Sequence, residues 1–146
     1  MAALTKYRDT RRMGDDVIPD LLDFAVADNV RIFKGAIIGL VGGLAAPAGP
    51  TCTRVAGVAE SEADNTQPGH AAGAMRVRVR QGVFKVANSA AAEALATADV
   101  GSLCYAADDQ TVTKTNGATH NLPVAGTVIR VDADGVWVQM NLDGAR

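Results

Sequence analysis

Aromatic residues are scarce in this chain: only 4% of 146 residues, with a single tryptophan. A core must therefore be built from Ala, Val, Ile and Leu, which the 48% hydrophobic content supplies, with glycine providing the bends. An excess of one charge is also missing. Fourteen Lys and Arg face sixteen Asp and Glu, a formal net charge of −2. That balance argues against a dedicated nucleic-acid binder, which usually carries a strong basic surplus. Cysteine occurs twice, at Cys52 and Cys104. A disulfide framework needs more cysteines and an oxidising compartment, so two free, buried thiols are expected.

A long apolar run is absent too. The N-terminal MAALTKYRDTRR lacks the continuous apolar stretch of a secretory signal, so export by that route is not expected. Residues 35–53, GAIIGLVGGLAAPAGPTCT, are uncharged over about the length of a membrane span. Five glycines and two prolines make that stretch a poor helix. It reads as a buried strand followed by a Gly/Pro loop, with no membrane segment.

What is present is strand and turn. A chain of this length most often makes one domain. Residues 1–21 form an arm without apolar periodicity, in which Pro19 blocks a long helix. Residues 22–146 form a β-rich domain. LLDFAV is a first strand, turned at Ala27-Asp28-Asn29. VRIFKGAIIGL carries one or two strands with a bend at Gly35. TRVAGVAES is a strand bulged at Gly57. Residues 59–73 are polar and small and read as a long exposed loop.

MRVRVRQGVFKV follows, with Met75, Val77 and Val79 alternating with Arg76, Arg78 and Arg80. That period of two buries one face. A bulge at Gly82 is expected to return Phe84 and Val86 to the same interior, because an unbroken register would bury Gln81 and Lys85. SAAAEALATADVG is the one helical segment, capped by Ser89. SLCYAA is a strand, and DDQTVTKTNG a turn and strand. AGTVIRV and GVWVQMN form a hairpin around Asp132-Ala133-Asp134, with Gly135 supplying positive φ. Trp137 faces away from Val136 and Val138. Short strands at regular spacing with one small helix predict a mainly β fold, a small β-sandwich or partly open β-barrel, with an extended N-terminal arm.

Candidate chemistry is thin. His70 and His120, with the two cysteines, lack short metal-ligand spacing. No G-x-S-x-G elbow is present, and GAIIGLVGG lacks the Lys-Ser/Thr of a phosphate loop. Asp15-Asp16, Asp108-Asp109 and Asp132 with Asp134 sit at turns, where Asp serves backbone hydrogen bonds. No catalytic residue, cofactor or metal ligand is expected. Two weaker readings are a small hydrolase with a Cys52 or Cys104 nucleophile and an oligonucleotide-binding β-barrel using Arg76, Arg78 and Arg80. The three arginines span about 13 Å at strand rise. They form either a solvated sheet face or edge or an interface rich in charge-assisted bonds to carboxylates. Single-stranded nucleic acid would want stacking rings beside them, and the adjacent stretch offers only Phe84, expected inside.

The run VRVRQGVFKVANSAAAEALATADVGSLCYAADDQTVTKT leading into VAGTVIRVDADGVWVQMN resembles the small head-decoration (cement) proteins of tailed bacteriophages. The matching features are Gly82-Val83-Phe84, the Ala-rich residues 90–98, the G-x-x-x-Y strand 101–105, Thr111-Val112-Thr113 and Gly126-Thr127-Val128. The resemblance covers roughly residues 36–141 and departs from the pattern in the polar insert 60–73. It implies a β-rich domain on the outer capsid surface that locks neighbouring major capsid proteins together, often as homotrimers, with no enzymatic role and no catalytic residues to carry over. The virion exterior, and the host cytoplasm during assembly, are the expected locations. Neither nucleic acid nor membrane is an expected partner. Candidate contact residues are Lys6, Tyr7, Arg8, Arg11 and Arg12 of the arm, and Arg76, Arg78 and Arg80 of the strand. Many modest contacts would add by multivalency.

Overall fold

The sequence folds into twelve β-strands, seen in a computed structural model that describes residues 21–119 and 121–142. The arm residues Lys6, Tyr7, Arg8, Arg11 and Arg12, together with Asp15, Asp16 and His120, lie outside the described residues. The fold is mainly β and divides into two five-stranded sheets. The first comprises β1 (Leu21–Ala25), β3 (Ile37–Val41), β4 (Leu44–Pro47), β5 (Arg54–Ala59) and β7 (Arg76–Arg80), in the order β1-β7-β5-β3-β4. A parallel bridge between Val26 and Ala45 ties its two outermost strands together at one point. The second comprises β8 (Gly82–Asn88), β9 (Leu103–Ala106), β10 (Thr111–Thr113), β11 (Val124–Asp132) and β12 (Gly135–Met140). It is a closed barrel in the order β10-β8-β12-β11-β9. A small ribbon pairs β2 (Arg31–Ile32) with β6 (Ala63–Asp64).

The two sheets share a wall. In β3, Ile38 and Leu40 point into the first core with Val26, Ile32, Val77 and Val79. Ile37 points the other way, into the barrel core with Val112, Val128, Val136, Val138 and Met140. β5 divides in the same manner, Val55 joining the barrel core and Ala56 the first core. A strand covered on both faces has no need of polar alternation. That is why IIGL reads as an unbroken apolar run. Gly57 in β5 takes φ +149 at the register shift opposite Ile38, so the expected bulge is there. A Cβ on Gly57 would collide with the Arg80 carbonyl of β7.

Several local expectations are corrected. The stretch read as a Gly/Pro loop contains β4, paired to β3 around Gly42-Gly43. The polar insert 60–73 is only partly exposed. Ala63 and Asn65 are buried, and the Asn65 amide donates to the carbonyls of Ala27 (2.8 Å) and Ala71 (3.0 Å), pinning the loop against the end of β1.

At Gln81-Gly82 no bulge returns Phe84 and Val86 to the interior of Val77 and Val79. The chain instead crosses from one sheet to the other, so these residues pack on the barrel core. Gln81 is buried after all, and its Oε1 accepts the Leu142 N–H at 2.8 Å, which removes the desolvation penalty that argued against burial.

The alanine-rich segment forms two single turns of 3-10 helix, Ala91–Glu93 and Thr97–Asp99, in place of one capped α-helix. Ala91 has φ +56. The Asn88 amide binds both backbone groups of Leu95 at 2.9 Å, drawing that leucine into the barrel core. Ser89 donates its hydroxyl to Val112 rather than capping. Burial and long-range bonds here override the intrinsic preference of alanine.

Candidate functional site

The arginine strand β7 lies inside its sheet, flanked by β1 and β5, so it is a face and not an edge. Val77 and Val79 are buried as expected, and Arg76 and Arg78 are exposed. The neighbouring elements bring carboxylates to this face. Arg76 Nε donates to Asp23 Oδ2 at 2.6 Å, diagonally across the β1–β7 pair. Arg80 engages Glu60 with two nitrogens, at 3.1 and 3.4 Å. Hydrogen bonding from Arg80, helped by the charge of Lys34, holds the Glu60 carboxyl below its ordinary range. Arg78 stands between these pairs. Its backbone is fixed to Ser61 and Glu60, while its guanidinium has no carboxylate within ion-pair distance among the described residues. The ladder is therefore two braced arginines around one outward charge.

The closed barrel presents a different outer face, which the sequence does not single out. Antiparallel register sets Val83 beside Gln139 and Lys85 beside Trp137. It then sets Gln139 beside Thr127 and Trp137 beside Arg130. A register shift between Val128 and Arg130 inserts Ile129 as an extra residue and turns it outward. Ile129 is 43% exposed and Val83 47%. Asp132 is the hub of this face. It accepts from Trp137 Nε1 at 2.9 Å and from Arg130 Nε at 2.7 Å. These bonds, the Trp137 one foremost, hold its carboxyl below the usual range. Lys85 binds Asp134 at 2.6 Å and lies 6.0 Å from the Trp137 ring centroid. Period-two alternation in GVFKV sets Val83 and Lys85 on one side of the strand. The bulge that exposes Ile129 has no sequence marker.

The β11–β12 turn also differs from expectation. Gly135 is outside the positive-φ region and pairs with Asp132, leaving Ala133-Asp134 as the turn. Its need for glycine is close approach, because a Cβ there would sit 2.8 Å from the Val86 carbonyl oxygen.

The remaining candidates are structural in their surroundings. Both cysteines are free and buried. Burial pushes the Cys104 thiol up to about 12 and raises Cys52 as well. A nucleophile must be a thiolate, so neither is activated. Asp108 accepts the backbone N–H groups of Gln110 and Thr111, a turn role. His70 is half-buried, with Nδ1 lacking a hydrogen-bond partner among the described residues. No three His, Cys, Asp or Glu side chains among the described residues are grouped to hold a metal ion. No helix among them is long and apolar enough to cross a membrane. Comparison with protein-family models, with curated proteins and with solved structures returned no match.

Proposed function

We propose that this chain is a structural protein that decorates the outer surface of a phage head and stabilises contacts between major capsid proteins. It would act through adhesive surfaces, in association with copies of itself, and without an enzymatic step. The observation that carries this reading is the braced arginine row. Asp23 and Glu60 fix Arg76 and Arg80 on an inner strand, and Arg78 projects outward with no carboxylate at ion-pair distance among the described residues. Such a prong suits one carboxylate of a protein surface, where a planar guanidinium can bind with two nitrogens. The resemblance across residues 36–141 agrees with it.

The oligonucleotide-binding reading draws on the same arginines, and the geometry favours it less. Two of the three are engaged by carboxylates of the chain itself. The exposed ring of Phe33 is stacked by Arg31 at 4.8 Å, whereas a strand of nucleic acid needs free cations and open rings together.

The deciding experiment adds the purified full chain to heads of the phage that encodes it, made without it, and images the particles by electron microscopy. Ordered density on the outer surface, reduced for Arg78→Glu, is the expected result. Heads left bare at saturating protein would end the proposal. A salt-dependent gel shift with single-stranded DNA, lost in Arg78→Glu, would replace it with the second reading.

A further inference from the structure

Residues 89–99, SAAAEALATAD, favour one conformation and are held in another. Their alanines favour α-helix, Ser89 stands where a cap would, and Glu93 falls in the first turn. The chain instead makes two single 3-10 turns. Ala91 takes φ +56, a left-handed conformation that is costly for a residue with a Cβ. Leu95 is the one buried side chain of the segment, 3% exposed and set in the barrel core. The Asn88 side chain closes on it: the Leu95 N–H donates to Oδ1 and the Leu95 carbonyl accepts from Nδ2, both at 2.9 Å. From the far side, the Lys114 N–H donates to the Glu93 carbonyl at 3.0 Å and the Thr115 hydroxyl donates to the Glu93 carboxylate. Lys114 Nζ stands 3.4 Å from Asp99. One inserted leucine and a few polar fasteners thus hold the segment against its local preference.

We propose that residues 89–99 are a strained strap between β8 and β9 with a second, α-helical state, and that the Asn88–Leu95 contact is the latch between the two. The states exclude each other. In an α-helix the Leu95 N–H donates to the Ala91 carbonyl, four residues back, and so leaves Asn88. Helix formation returns Ala91 to negative φ, which relieves its strain in the same step. The other alanines set no obstacle, since Ala90, Ala91, Ala92, Ala96 and Ala98 already face solvent. Leaving the core is the cost, and Leu95 alone bears it. A helix of this length is marginal by itself, so the helical state is a minority while Leu95 is buried. Its population rises when the latch is loosened. This inference does not rest on the capsid reading, because the strap can open whether or not the chain binds phage heads.

Native-state hydrogen exchange of the full chain, followed by NMR, tests it. The amides of Ala94, Leu95 and Lys114, whose acceptors all belong to the strap or its latch, should exchange as one group. Their exchange should be at least about a hundredfold faster than that of the β12 amides, as for a sub-global opening. Ala91→Gly fits the left-handed position and disfavours helix, so it should slow that group by about tenfold. Asn88→Ala should speed it by about tenfold. In Asn88→Ala with Leu95→Ser, the Cα chemical shifts of residues 90–98 should move to helical values while those of β11 and β12 stay in place. Where that double variant does not fold, the exchange rates of wild type and the two single variants decide. Strap amides that exchange in step with β12 overturn the proposal. So does a strap whose exchange Ala91→Gly leaves unslowed, or a folded double variant in which residues 90–98 show no helical shifts.

Discussion

Trp137 Nε1 donates to Asp132 Oδ2 at 2.9 Å, across the hairpin that joins the last two strands. The same carboxylate receives Arg130, so one half-buried aspartate aligns an indole and a guanidinium on neighbouring strands. Replacing Asp132 by Ala should free both side chains. The expected readout is a red-shifted, more quenchable tryptophan emission at neutral pH with the fold retained. Emission identical to wild type would show that Asp132 does not hold the ring.

A second prediction concerns the wall shared by the two sheets. Ile37 belongs to β3 of the first sheet, yet it is fully buried in the barrel core. Ile37→Ala should destabilise by about 2–5 kcal/mol, the usual range for truncating a buried isoleucine. Because the cores abut through β3 and β5, urea unfolding should remain a single transition followed equally by Trp137 fluorescence and far-UV circular dichroism. Two separated transitions would show independent halves.

Acid sensitivity follows from Asp64. Its carboxyl accepts from the Thr66 hydroxyl and backbone and from Gln67, which together bring its pKa from 3.8 to about 2. A depressed folded value means the group stabilises fully above about pH 4, with that stabilisation lost as pH falls through about 2. The difference in urea midpoint between wild type and Asp64→Ala should be constant from pH 5 to 7 and shrink between pH 4 and 2. A difference that grew in acid would reverse the sign of the argument.

The thiols give a simple assay. With Cys104 raised to about 12 and Cys52 raised by burial, a disulfide reagent at pH 8 should label neither in the folded protein and both in urea. Rapid labelling of either cysteine in native protein would contradict the burial and restore a nucleophilic role to consideration.

The last prediction separates the three arginines. Arg78→Ala should change stability by less than about 0.5 kcal/mol, as for a surface side chain without fixed contacts. Arg80→Ala should return the Glu60 carboxyl toward its ordinary value, since Arg80 is the main cause of its depression. Carboxyl-carbon NMR titration would follow that change, and an unmoved Glu60 would assign its shift to Lys34 instead.

Much of the architecture could be read from residue order because strand periodicity is local. Alternation placed Val77 and Val79 inside and the arginines outside, and the turn residues at 27–29 fixed the first strand's end. Three things were hidden for a common reason, which is dependence on distant partners. The alanine-rich segment is governed by the bond from the Ser89 hydroxyl to the Val112 carbonyl and by the burial of Leu95 in the barrel core. The break at Gln81-Gly82 marks a change of sheet, which looks in sequence like a bulge. The acceptors Asp23 and Glu60 lie 53 and 20 residues from their arginines, and no local pattern connects them. The Ile129 face was missed because a β-branched residue in a strand reads as core until the bulge opposite Val138 is known.

In the second sheet, β10 joins β8 in parallel and β9 in antiparallel fashion, so that the ring has no first or last strand. Unpaired backbone at a sheet border is what lets proteins zip into fibres when crowded. With that border gone, this half offers any neighbouring molecule side chains alone, with no open strand on which a second chain could pair.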